Sequence, residues 1–175
     1  MSKTKAEQTI AQDLQSIAQD VLYREAFFLD ERRWDDWLSL YNKDAEYWIP
    51  AWKNEDEITN DPNSEISLIY INTRRSLEER VERARSGRSA ASKVLPRTAH
   101  LVANVLLDKI STSKRIVVNS NCTTQIFDPK RCQAHQSFAR YCHELVFGSE
   151  SWVISKKKIT LLNDTLPAML DFYTI

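Results

Sequence analysis

Apolar residues in the first part of the chain recur at helical spacing. Ile10, Leu14, Ile17, Val21 and Phe28, flanked by Leu22 and Leu29, stand three, four or seven apart, the stripe of one long helix packed on a single side. Ahead of it, Thr4-Lys5-Ala6-Glu7 has the form of a capping box. A shorter helix over 33–40 presents Trp34, Trp37 and Tyr41 at i, i+3 and i+7, a stripe that suits a core better than a cofactor site. Residues 45–51 read as a strand closed by Pro50, which fits an edge or an end. After a long polar stretch, 66–71 reads as a strand or apolar lead-in. Ser76-Leu77-Glu78-Glu79 then predicts the capped start of a third helix, and Gly87, one of two glycines in the chain, its C′ stop.

From Thr98 onward the period shortens to two. Ala99, Leu101, Ala103, Val105 and Leu107 make one apolar face, and Ile116, Val118, Cys122 and Ile126 another, broken by Ser120 and Thr124. Turn residues separate the runs at Ser111-Thr112-Ser113, Asp128-Pro129-Lys130 and Gly148-Ser149. The pattern predicts a four-stranded antiparallel meander. Its strands exceed the usual length of about 3 to 10 residues, so they must twist, bend or bulge. Trp152 and Ile154 share one parity and Ile159 and Leu161 the other, which predicts a bulge near Lys156, Lys157 and Lys158. Helices first and a curved antiparallel sheet afterwards describe an α+β domain, expected to span 1–175 as one unit, with the long helix closing the concave side.

Composition narrows the function. The chain has 175 residues, with 24 Lys plus Arg against 24 Asp plus Glu, so no bulk positive field exists to hold nucleic acid by counterion release. No membrane-span-length apolar run occurs and the first residues lack a secretory apolar core, so a cytoplasmic location is expected. Cys122, Cys132 and Cys142 are odd in number and ten apart, which fits neither a zinc pair nor a disulfide framework and reads as three reduced, half-buried thiols.

Acids, imidazoles and nucleophiles concentrate in a few stretches of the chain. The stretch EYWIPAWKNEDEITNDPNSEISLIYI at 46–71 carries Glu55, Asp56, Glu57, Asp61 and Glu65, yet lacks the alternating spacing and the glycine of a calcium loop. A solvated crossing between strands is the favoured reading. His135 and His143 would share a strand face about 27 Å apart, too far for one ion, so the three histidines read as structural or interfacial. No nucleophile elbow and no glycine-rich phosphate loop is present. Acid/base chemistry in a closed pocket needs no motif, and Asp44, Tyr47 and His100 are its candidates, each equally a structural residue. Arg74, Arg75, Arg80, Arg83, Arg85 and Arg88 crowd the third helix, largely solvated or suited to an acidic partner.

Four blocks carry a likeness: YREAFFLDERRWDDWLSLY, DAEYWIPAW, DPNSEISLIYI and LPRTAHLVANV. In order and spacing they resemble the small (β) subunit of aromatic-ring-hydroxylating dioxygenases, most of all the benzoate, toluate and anthranilate branch. The resemblance implies a ketosteroid-isomerase-like (cystatin-like) cone, N-terminal helices packed on a strongly curved, mostly antiparallel sheet, serving assembly more than catalysis. It implies a large α partner bearing a Rieske [2Fe-2S] cluster and a mononuclear Fe(II), commonly an α3β3 hexamer with β–β contacts, and NADH electrons delivered by a reductase. Catalytic, cofactor-binding and metal-ligating residues on this chain are then none. The acidic excursion with its flanks Trp48 and Trp52, together with Arg97, His100 and Asn104, becomes the expected subunit interface. His100 and Asn104 share a parity opposite the apolar 99–107 face and are expected to point away from what it buries. A stand-alone cone-fold isomerase or dehydratase is the alternative.

Overall fold

The computed structural model describes residues 5–87, 94–165, 167 and 169–175. Its elements, in chain order, are α1 Lys5–Asp30, α2 Trp34–Ser39, β1 Tyr41–Pro50, β2 Ser67–Ile71, α3 Arg74–Arg85, β3 Arg97–Leu107, β4 Arg115–Asp128, β5 Gln133–Phe147 and β6 Trp152–Leu161. The strands form one sheet in the order β2-β1-β6-β5-β4-β3. The predicted meander is present, β3 to β6 being consecutive antiparallel neighbours. Periodicity did not reveal the remaining join, in which β1 lies parallel to β6 and antiparallel to β2.

Helix ends follow local chemistry, not always the chemistry predicted. α1 stops where Arg32 takes a left-handed φ of 54° and Arg33 N–H donates to the Phe28 carbonyl, a Schellman closure without glycine. The Arg32 guanidinium then reaches the Leu95 and Pro96 carbonyls. The N-cap of α3 lies three residues before the predicted one, because the extended Thr73 accepts from the Ser76 amide at 3.3 Å. Gly87 follows α3 with φ +59°, as a C′ glycine should. Thr4 and Arg88 lie outside the described residues, and so does the capping box proposed at Thr4. Among the described residues, two arginines of α3 pair beyond the helix, Arg80 with Asp171 and Arg85 with Asp35, while Arg74 and Arg75 pair with Glu78 and Glu79 within it.

The face of β3 is inverted from the predicted one over most of its length. Ala99, Leu101 and Ala103 are exposed, while the His100 side chain keeps 2% of its surface. The strand shifts register between Ala103 and Leu106, where Asn104 adopts φ 53°, and only there do Val105 and Leu107 turn inward. Both parities carry apolar residues, so period alone could not choose. The choice is made by α1, whose Asp30 accepts from the His100 amide at 2.8 Å and lies 2.6 Å from its ring Nδ1. Gln15 of α1 donates to the Val105 carbonyl, so the helix occupies polar groups on the edge strand. The bulge predicted in β6 does occur, at Ser155, which has no partner between the Ile154–Leu145 and Lys156–Glu144 pairs.

Against the inner face lie Leu14, Ala18, Val21, Leu22 and Leu29 of α1 and Leu77 and Val81 of α3. A feature unforeseen from periodicity completes the core. Residues 170–175 fold back so that Phe172 stacks on Trp37 at 4.9 Å between ring centroids and Ser137 donates to the Thr174 carbonyl. Phe172 is 1% exposed.

Candidate functional site

Glu25 lies inside the cone, on the same α1 stripe as Leu22 and Leu29 and only 3% exposed. Its Oε1 accepts from the Tyr41 hydroxyl and, at 2.8 Å, from Lys157 Nζ. Its Oε2 accepts from His143 Nε2 at 3.0 Å. Each donor arrives from a different strand. Tyr41 opens β1, His143 follows the inward parity of Ala139, Tyr141 and Leu145 on β5, and Lys157 is turned inward by the Ser155 bulge of β6. The Lys157 ammonium also lies 4.5 Å from the Tyr141 ring centroid and 5.6 Å from that of Tyr47.

Burial alone would raise the Glu25 carboxyl, but the Lys157 charge and the His143 hydrogen bond overcome it and hold the group far below the ordinary carboxylate range. The His143 imidazole is pushed down by burial against the opposing pull of Glu25, which leaves it neutral. Burial, reinforced by Glu25, lifts the Tyr41 and Tyr47 phenols well above their usual range. Burial and the adjacent Cys122 thiol do the same for Tyr141. The cluster is therefore one carboxylate and one ammonium, surrounded by neutral donors.

These groups are an acid–base set by type, but the space beside them is small. Leu22, Leu29, Val102, His100, Tyr141 and His143 help wall a cavity of about 10 Å³. An aromatic ring needs a cavity of roughly 150 Å³, and a water molecule about 10 to 15 Å³. Nor do the donors suit a metal. Among the described residues no three His, Cys, Asp or Glu side chains converge as ligands would. A Rieske cluster needs two thiolates and two imidazoles together. Cys122 points inward, Cys142 sits on the opposite face of its strand, and Cys132 is exposed in a turn, so the thiols are not uniformly half-buried as predicted. His143 Nε2 is already taken by Glu25.

The residues predicted to meet other subunits differ in burial and in local partners. Trp48 is 6% exposed, with Nε1 on the Ser67 hydroxyl and Lys158 Nζ 4.5 Å from its ring. Trp52 is half-buried, its Nε1 donating to the Leu161 carbonyl at 2.7 Å. Arg97 is exposed with its guanidinium 5.8 Å from the Phe127 ring, and Asn104 is exposed on the bulge. His100 turns inward to Asp30, so the expectation that it points away from the buried side is corrected. Of the acid/base candidates, Asp44 is exposed and Tyr47 is buried beside Lys157. Glu25 and Lys157 were missed; their only sequence signal is a charge at a core position of an otherwise apolar pattern.

The acidic excursion starts as a small hairpin, with Thr59 N–H donating to the Ala51 carbonyl and Lys53 N–H to Glu57. Much of its polar content is spent locally. Asn54 accepts from the Asp56 and Glu57 amides, Asp61 from Asn63 and Ser64, and Glu65 from Asp61 while pairing with Lys53. Glu55, Asp56 and Glu57 remain exposed at the tip. Trp52 separates two open clefts, one of about 450 Å³ toward Leu162 and Asp164, the other of about 440 Å³ toward Arg140, Lys158 and Thr160.

Comparison with known proteins agrees with this architecture. The ring-hydroxylating beta subunit family matches residues 24–168. The chain is 38% identical over 154 residues to the benzoate 1,2-dioxygenase subunit beta of Acinetobacter baylyi, covering 88% of this chain and 89% of that one. It is 36% identical to the toluate 1,2-dioxygenase subunit beta of Pseudomonas putida, over 89% and 94% of the two chains. It is 32% identical to the anthranilate 1,2-dioxygenase small subunit of Acinetobacter baylyi, over 88% and 93%. The crystal structure of the benzoate 1,2-dioxygenase beta subunit from Burkholderia mallei superposes with a TM-score of 0.73 at 33% identity, over 90% of this chain and 94% of that one. A hexachlorocyclohexane dehydrochlorinase shares the fold alone, with a TM-score of 0.63 at 13% identity over 97% and 95%. With six strands and packed helices of that cone type, and a family match across most of its length, the chain belongs to the beta subunits of ring-hydroxylating dioxygenases, on their benzoate, toluate and anthranilate branch.

Proposed function

We propose that this chain is the structural, non-catalytic subunit of an oxygenase that dihydroxylates a benzoate- or anthranilate-like aromatic acid in the cytoplasm. The α subunit carries the Rieske cluster and the mononuclear iron, a reductase delivers electrons from NADH, and α and β assemble as α3β3 with β–β contacts. This chain acts as one unit over 1–175. The observation that carries the reading is the match to ring-hydroxylating beta subunits over residues 24–168; among the described residues, the space beside the acid–base groups is a cavity of about 10 Å³, too small for an aromatic ring. That small volume weighs against a stand-alone isomerase or dehydratase, which those groups would otherwise favour.

Assembly then uses the outside of the sheet. Leu101, 57% exposed, stands in cross-strand register with Thr123, and Thr123 with the 38% exposed Phe138. Trp52, Arg97 and Asn104 offer contact atoms on this side, Trp48 packs beside Lys158, and His100 turns inward to Asp30. Co-expression with the large subunit, followed by mass measurement, an absorption spectrum and turnover of benzoate and anthranilate, tests the reading. A red-brown hexamer that oxygenates one of these acids is expected; turnover of a small molecule by the isolated chain overturns it. Trp52→Ala is expected to weaken association with the large subunit by about 2 kcal/mol, roughly thirty-fold. Undiminished co-purification counts against the interface.

A further inference from the structure

The interior leaves three polar atoms without partners on the wall of a single cavity: His143 Nδ1, His100 Nε2 and the Tyr141 hydroxyl. Their residues come from two strands, His100 from β3 and Tyr141 and His143 from β5. The side chains of His143 and His100 are 0% and 2% exposed, and Tyr141 is 4% exposed, so bulk water does not reach them. Buried polar atoms of native proteins nearly always have a partner, and where the protein offers none an ordered water supplies it.

We propose that this cavity is a binding site for one water molecule, held by His143, His100 and Tyr141. The ring assignments follow from the neighbours. The Glu25 carboxylate at His143 Nε2 can only accept, so Nε2 carries the proton and Nδ1 presents a lone pair to the cavity. The Asp30 carboxylate at His100 Nδ1 fixes that ring the same way round, leaving Nε2 toward the cavity. Burial keeps the His143 ring neutral, which preserves the lone pair. The Tyr141 hydroxyl has only the weak Cys122 thiol beside it and is free to donate.

Chemistry and volume together select the occupant. It must donate to His143 while accepting from Tyr141, and must meet His100 Nε2. An anion has no proton for the first contact and an ammonium no lone pair for the second. Water does all three, and about 10 Å³ is the space that one water needs. With it in place, a hydrogen-bonded chain runs from Asp30 through His100, water and His143 to Glu25 and Lys157. The last turns of α1 are thereby tied to β3, β5 and β6. The site does not depend on what the assembled oxygenase acts upon.

A high-resolution crystal structure of the full chain, alone or with its large subunit, tests this directly. The expected result is one density peak within about 3 Å of His143 Nδ1, His100 Nε2 and the Tyr141 oxygen. An empty cavity, or rings bonded directly to one another, overturns the proposal. In solution, oxygen-17 relaxation dispersion counts long-lived internal waters, and Ala26→Leu on the cavity wall is expected to lower that count by one. Should that variant not fold, the milder Val102→Ile reads the same loss. An unchanged count in a folded variant overturns the site.

Discussion

Glu25 and Lys157 show how a buried ion pair depends on having every donor in place. Each ion alone carries a large desolvation cost, offset only while the carboxylate keeps Lys157, His143 and Tyr41. Glu25→Gln is expected to destabilise the chain by about 3 to 5 kcal/mol in chemical denaturation, because it leaves a buried ammonium unpaired. Glu25→Leu combined with Lys157→Met is expected to recover much of that, and full additivity of the two single losses would contradict the pairing. The same cluster sets an acid limit. Glu25 and His143 both titrate below their ordinary values of 4.5 and 6.5 in the folded chain, so on acidification the unfolded chain binds the extra protons. Stability is complete above pH 6.5, declines first through His143 as pH falls from there, and declines further through Glu25 below 4.5. Around His143 stand Glu25 of α1, Tyr41 of β1, His100 of β3, Cys122 of β4, Tyr141 of β5 and Lys157 of β6. His143→Gln keeps a donor toward Glu25 and has no imidazole. Its melting temperature is expected to stay flat between pH 6.5 and 4.5 where that of the parent falls. None of this was legible residue by residue, since Glu25 lies 118 positions from His143 and 132 from Lys157.

At the scale of elements, type and order were legible, while the side that each strand presents was legible only in part. Helix spacing located α1 and α2 and alternation located β4, because 3.6 and 2.0 are distinct periods wherever one face is apolar, while turn residues on either side bounded β5. β6 was readable down to its bulge, since its apolar residues change parity across Lys156 to Lys158. β3 was not. Its outward Ala99, Leu101 and Ala103 are as apolar as its inward residues, and the Asn104 bulge reverses the phase within the strand. Asn tolerates the left-handed region and β-branched residues do not. Asn104→Val is expected to cost about 1 to 3 kcal/mol, and Asn104→Gly to be neutral or slightly stabilising, both read from denaturation midpoints. Equal effects would mean that the bulge does not need its positive φ. The acidic excursion teaches a related lesson: Asn54, Asp61 and Glu65 cap their own backbone, so their density reflects loop construction and not a ligand set.

For the molecule as a whole, closure of the cone is made by segments far apart in the chain. α1 covers the inner sheet face and residues 170–175 return to pack Phe172 against Trp37 and Trp34. Phe172→Ala is expected to cost about 3 to 5 kcal/mol, measured as a shift in unfolding midpoint, because a fully buried ring leaves a void that a packed core cannot refill. A loss under 1 kcal/mol would mean that the segment is only draped over the core.

By itself the sequence determined the order of helices and strands, the meander and the family likeness. Local periods, caps and turn residues encode the elements over stretches of a few residues, and the four blocks encode the likeness. Tertiary structure alone decided the parallel join of β1 to β6, the inward turn of His100, the meeting of Glu25 with Lys157 and the size of the cavity beside them. The physical reason is that a bulge changes which face a strand presents, and a buried charge is tolerable only once partners from distant segments reach it.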